Sequence, residues 1–247
     1  MRVLTDLGTY ILTMKGMFSK PENWKMYWKE FMHQCMDIGI GSLPIVLIIS
    51  VFLGAVMTVQ TAYQLVSAII PKTTIAIIVR DSLLLELSPT VISIVLAGVV
   101  GSKIASELGN MRISEQIDAL EIMGINTKSY LIMPKIVASM FMMPCLIALS
   151  ILVAIWGGRF VGEMAGIMDP DTYDRGLLMD FKAYNVTVAM TKALTFSVLI
   201  SSISSYFGYN VKGGALEIGR SSTLAVVISC ILILLADYVL TLIMLNA

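Results

Sequence analysis

The side chains best placed to do chemistry are Glu107, Arg112, Glu115, Gln116, Asp118 and Glu121, all within the polar stretch Glu107 to Asn126, ELGNMRISEQIDALEIMGIN, of a chain only 14% charged. The chain has one histidine, His33, and lacks G-x-S-x-G and H-E-x-x-H, so hydrolytic and metal catalysis have no candidates. It also lacks G-x-x-x-x-G-K-[ST], so no Walker A loop cradles the phosphates of ATP. What remains to these residues is charged and hydrogen-bonded contact, and the chain is expected not to be an enzyme.

A helix from about Ile113 to Met123 places Ile113, Ile117 and Leu120 on one stripe and Glu115, Asp118 and Ile122 on another. Ser114 is the expected N-cap, the acids of the first turn suit the helix dipole, and Gly124 followed by Asn126 supplies a stop. The stretch lies between two long apolar blocks, so this short charged helix must lie outside the hydrocarbon. It is either a solvated or interfacial connector or a docking surface for a soluble partner.

Composition sets the class of everything around it. With 57% hydrophobic residues and a mean hydropathy of +0.85 over 247 residues, a water-soluble domain would have to hide more apolar surface than its volume allows. The expectation is an all-α, multi-pass membrane protein. Lysine plus arginine equals aspartate plus glutamate, 17 each, so net charge argues for neither nucleic acid nor an acidic ligand. Cys35, Cys145 and Cys230 are far apart and form no metal or redox spacing.

The first segment, residues 1–37, has an apolar patch too short and interrupted for a span or a signal core, and no cleavage is expected. From Trp24 to Met36 the aromatics Trp24, Tyr27, Trp28 and Phe31 fall three and four apart, as in an interfacial helix. About five spans follow, near 38–59, 83–106, 130–156, 186–207 and 223–245. Ser50, Gly54 and Thr58 form a small-residue face on the first, Ala97, Gly101 and Ala105 on the second, and Ser197, Ser201 and Ser205 on the fourth. Gln60 and Gln64 are either an exposed helix end or the lining of a cavity. Thr73 to Asp81 reads as a re-entrant or surface connection. Glu86, near the start of the second span, must face a cavity, a partner side chain or the interface, while Lys192 can snorkel. Pro134 and Pro144 predict kinks in the third span. Residues 159–184 are acidic but have no calcium-loop spacing.

Eleven of the seventeen basic residues, including Lys15, Lys25, Lys29, Lys103, Arg112, Lys128, Lys135, Lys212 and Arg220, fall on one side if there are five spans. The N-terminus and the 107–126 helix are therefore expected in the cytoplasm, and residues 159–184 outside.

The run AGVVGSKIASELGNMRISEQIDALEIMGINTKSYLIMPKIVASMFMMP, from Ala97 to Pro144, resembles the signature of the MlaE/YrbE family, the permease subunits of lipid-transporting ABC systems. ELSP at Glu86 to Pro89, WGG at Trp156 to Gly158 and GYNVKGGALEIGRSSTLAVV at Gly208 to Val227 add to the likeness. The resemblance implies a homodimer in a bacterial inner membrane, a separate ABC ATPase subunit that carries the ATP, and an MCE-domain lipid-binding partner, with phospholipid or a related lipid as cargo. It makes the helix of Ser114 to Gly124 a coupling helix resting on the ATPase, with Glu107, Arg112, Glu115, Gln116, Asp118 and Glu121 as coupling residues and no cofactor in this chain. It matches Glu86 to an acidic residue near a lipid cavity. Leu85 stands where many members have arginine and Ser88 where many have glycine, so the family's charged pair is halved.

A lipid path needs a wide apolar cavity with few polar groups at one end. Met57, Gln60, Gln64 and Leu65 of the first span, with Glu86 and Leu87 of the second, supply that mixture; alternatively Glu86 caps a helix or pairs with Arg80. Two other functions compete: a secondary transporter or channel, which predicts paired intramembrane charges and internal repeats, and a structural scaffold without transport.

Overall fold

A chain this apolar must satisfy its backbone polar groups within each segment, which leaves helix as the solution open to it. In a computed structural model, described over residues 2–17, 24–65 and 71–245, eight helices follow one another. They are α1 (Arg2–Met17), α2 (Trp24–Gln64), α3 (Thr73–Ile113), α4 (Gln116–Ile122), α5 (Lys128–Met164), α6 (Pro170–Leu178), α7 (Ala183–Tyr209) and α8 (Ala215–Leu245). Five of them, α2, α3, α5, α7 and α8, are long and apolar enough to cross a membrane. Exposed Ile231, Leu234 and Leu235 on α8 give this helix the apolar outer face that lipid requires.

Two expected boundaries differ. The aromatic segment from Trp24 is not a separate interfacial helix but the beginning of α2, whose 41 residues run without a break; nothing between Met36 and Gly41 is strong enough to stop a helix, and Pro44 is accommodated inside it. Thr73 to Asp81 is likewise not a re-entrant connection but the first turns of α3. Glu86 consequently lies well inside its helix rather than near the start. The backbone around it, Leu83–Val91, widens to a π-helical pitch that contains Pro89, whose missing N–H breaks the ordinary ladder.

The contacts divide into two compact units, to both of which the five long helices contribute. The first comprises Met1–Ser42, Ile94–Met143 and Leu194–Val239. Here α3 and α7 approach closely: a side chain at Gly208 would strike the Ala105 carbonyl at 2.6 Å, and Gly101 faces Ser204. The Ala97, Gly101 and Ala105 stripe is thus a helix-packing surface. Tyr10 of α1 donates to Ser202 at 2.9 Å. Lys135, expected in a connection, is 1% exposed within α5 and pairs with Glu107 at 2.6 Å, while Lys103 pairs with Asp37 at 3.1 Å.

The second unit comprises Leu43–Ser93, Pro144–Ala193 and Leu240–Ala247. Its core gathers Ile75, Val79, Leu83, Ala154, Met168 and Tyr173. Burial pushes the Tyr173 phenol up to about 12, against a smaller lowering by its hydrogen bond with Thr58, so it stays a neutral donor to the Ile155 carbonyl. Arg80, 2% exposed, does not reach Glu86. Its Nε donates to Asp81 at 3.0 Å, and Nη1 donates to the carbonyls of Leu177 and Met179 at 2.7 Å each. Nη2 reaches Asp180, whose φ of 53° makes the turn into α7. Replacing Arg80 with methionine uncovers these carbonyls and should cost roughly 2–4 kcal/mol. A lower unfolding temperature in detergent, with faster proteolysis between Met179 and Lys182, is the expected result; an unchanged cleavage rate would mean the carbonyls find other donors.

Candidate functional site

The acidic stretch folds somewhat differently from its pattern. Ser114 is not an N-cap: it ends α3, and its hydroxyl donates back to the Asn110 carbonyl at 2.7 Å. The chain reverses instead at Glu115, whose φ of 59° is left-handed, and α4 begins at Gln116. A serine hydroxyl has a carbonyl one turn behind it whenever the preceding helix continues, and α3 continues to Ile113. The stop is as expected. Gly124 at φ 83° donates to the Glu121 carbonyl, and Ile125 to that of Leu120, the paired bonds of a Schellman turn. Asn126 serves the next element: its side-chain oxygen accepts from the Ser129 N–H near the start of α5.

Ile117 is fully buried and anchors α4, while Ile122 and Met123 stand 88% and 73% exposed at its far end. Glu115 and Gln116 are exposed as well. Asp118 takes a 2.6 Å bond from Arg112, so these two act as a pair. Glu107 is committed to Lys135 and Glu121 to Thr127 and Tyr209, at 2.9 Å each. Of the expected coupling residues, then, Glu115, Gln116 and Glu121 are exposed, Glu121 with its Oε1 held by two hydroxyls, in company with two apolar side chains that the charge pattern did not single out.

In the second unit, Met57 and Leu87 share an apolar groove of about 420 Å³ with Ile48, Ile49, Phe52, Leu53 and Val56. Leu65 packs against the core, and Gln60 and Gln64 are exposed. Glu86 is half exposed and receives a 2.9 Å hydrogen bond from Lys192 Nζ, which also donates to the Leu85 carbonyl at 2.9 Å. Lys192 therefore does not snorkel. At 1% exposure it is held inside by a carboxylate and a carbonyl, and a basic partner for Glu86 comes from α7 in place of the residue at 85. The sequence offered one clue, an acid and a base each isolated within an apolar run; only folding brings them together.

A family model described as "Permease MlaE" matches residues 31–243. A probable ABC transporter permease protein of Rickettsia bellii is 37% identical over 216 residues, covering 87% of this chain and 83% of its own. One from Synechocystis is 33% identical over 213 residues, covering 86% and 81%. The chloroplastic Arabidopsis thaliana protein trigalactosyldiacylglycerol 1 is 33% identical over 221 residues, covering 88% of this chain and 62% of its own. Since the match extends from Phe31 to Ile243, through all five long helices, α4 and the Glu86–Lys192 pair, the chain belongs to the MlaE permease family.

Proposed function

We propose that this multi-pass permease moves phospholipid or a related lipid between a bacterial inner membrane and an MCE-domain carrier, as a homodimer driven by separate ABC ATPase subunits. The names of its relatives imply the ATPase, and the Arabidopsis relative's name contains a glycolipid. One observation carries the lipid reading: the groove of Met57 and Leu87 is lined by apolar side chains alone, and the residue before Leu87 on α3, Glu86, is half exposed and charge-paired. Acyl chains need the first and a headgroup can use the second. Paired charges within spans also suit a secondary transporter, but the family membership favours the ATP-driven reading. The exposed residues at the two ends of α4, Glu115 and Gln116 at its start and Ile122 and Met123 at its far end, are the ATPase-docking surface in this scheme, and the excess of basic residues on that side of the spans supports a cytoplasmic position for it.

The test combines copurification with capture. Permease extracted from its native membranes should bring down an ABC ATPase and an MCE-domain protein, and photo-crosslinkers at Met57 and Leu87 should capture phospholipid in excess over a control at Leu235, an exposed site on α8. Absence of both partners, or equal capture at all three positions, would overturn the proposal.

A further inference from the structure

At the far side of α4, side chains from α4, from the link into α5 and from the end of α7 meet. Glu121 Oε1 lies 2.9 Å from Thr127 Oγ1 and 2.9 Å from the Tyr209 hydroxyl, and the two hydroxyls lie 2.8 Å apart. Two hydroxyl protons serve three oxygen–oxygen edges, and both are best used on the carboxylate, the strongest acceptor of the three. Thr127 and Tyr209 are buried, at 2% and 7% exposure. The Arg112 guanidinium lies 5.8 Å from the centre of the Tyr209 ring while it bonds Asp118, so the end of α3, the body of α4 and the last residue of α7 are tied at one point.

The backbone at both ends of α4 is left-handed, at Glu115 and at Gly124. Between two such turns the seven-residue helix is held by the buried Ile117 and by its polar side-chain ties, so a push on α4 passes to the rest of the protein through these contacts. Glu121 is exposed, but its Oε1 atom accepts from two buried hydroxyls of its own chain, which ties the side chain to Thr127 and to the end of α7. We infer that Glu121, Thr127 and Tyr209 form a latch that makes α7 follow movements of α4, and that Thr127 and Tyr209 are positioning residues for coupling. The inference rests on the reading of α4 as the element the ATPase pushes. Lys192 lies on the same α7 helix, so the latch joins α4 to the helix that carries the partner of Glu86.

The experiment uses the permease assembled with its ATPase and carrier in proteoliposomes, with lipid moved per ATP hydrolysed as the readout, and with assembly measured by copurification. Tyr209→Phe and Glu121→Leu should each lower that ratio about tenfold, within the ordinary range for a coupling free energy, while the ATPase remains bound. Glu121→Gln keeps the acceptor oxygen and should restore the ratio to within about twofold of wild type. The double variant Thr127→Val/Tyr209→Phe should be no worse than Tyr209→Phe, because one latch can be broken only once. A wild-type ratio in Tyr209→Phe, additive losses in the double variant, or loss of ATPase binding in both Glu121→Gln and Glu121→Leu would each overturn the latch; the last would make Glu121 a docking charge. Failure of the wild-type permease to bind the ATPase would instead defeat the underlying reading, and the latch with it.

Discussion

Replacing Glu86 with glutamine is expected to destabilise the protein more than replacing Lys192 with methionine, and the double replacement is expected to recover much of the loss. The asymmetry follows from exposure. Lys192 is 1% exposed and Glu86 50% exposed. Glu86→Gln leaves an ammonium buried, with the Leu85 carbonyl as a neutral acceptor, and breaking a buried pair from one side costs about 3–5 kcal/mol. Lys192→Met leaves a carboxylate with one side open, and its cost depends on what that side faces. In a water-filled lipid chamber the carboxylate stays hydrated and the cost is small; against hydrocarbon it approaches that of Glu86→Gln. The proposed path requires the first. Unfolding temperatures in detergent and in nanodiscs for the two single variants and the double variant decide it, and equal losses in the single variants, with no recovery in the double, would place Glu86 away from any chamber. Transport should fall in all three variants.

Substituting leucine for Gly157 is expected to abolish the folded protein. A side chain at this position meets the Val51 carbonyl oxygen at 2.6 Å, one at Gly158 meets Thr58 and the Tyr173 hydroxyl, and one at Gly54 meets the Ala154 backbone. These obstacles include main chain, which cannot turn aside as a flexible side chain does, so the cost should exceed the roughly 1–3 kcal/mol typical of overpacking. The small-residue face of Ser50, Gly54 and Thr58 thus meets the WGG motif, and the two helices approach through their backbones. Even alanine at Gly157 should lower the unfolding temperature. Gly98→Ala is the control, since nothing lies within 4 Å of its added methyl, and removing a helix glycine should stabilise by up to about 1 kcal/mol. A monodisperse size-exclusion profile for Gly157→Leu matching wild type would refute the close contact.

The amino-acid sequence by itself determined the class, the number of long helices, the small-residue packing faces and the charged connection with its glycine stop. Each of these rests on local composition or on a period of three to four residues, which the chain carries whatever its neighbours do. Helix ends were less legible. The turns that precede Leu83 and Ile38 look like connections because they are polar or aromatic, but a backbone with no strong breaker continues its hydrogen bonds, and α2 and α3 each extend to 41 residues. The partners of Glu86, Glu107 and Glu121 were decided only by tertiary structure. Lys192 lies 106 residues from Glu86 and Tyr209 lies 88 from Glu121. No periodicity reaches that far: the buried Lys135 and Lys192 take whichever carboxylate the packed helices bring within hydrogen-bond distance, because leaving a buried charge alone costs more than any local preference can offset, and the buried hydroxyls of Thr127 and Tyr209 likewise find the acceptor that packing brings to them.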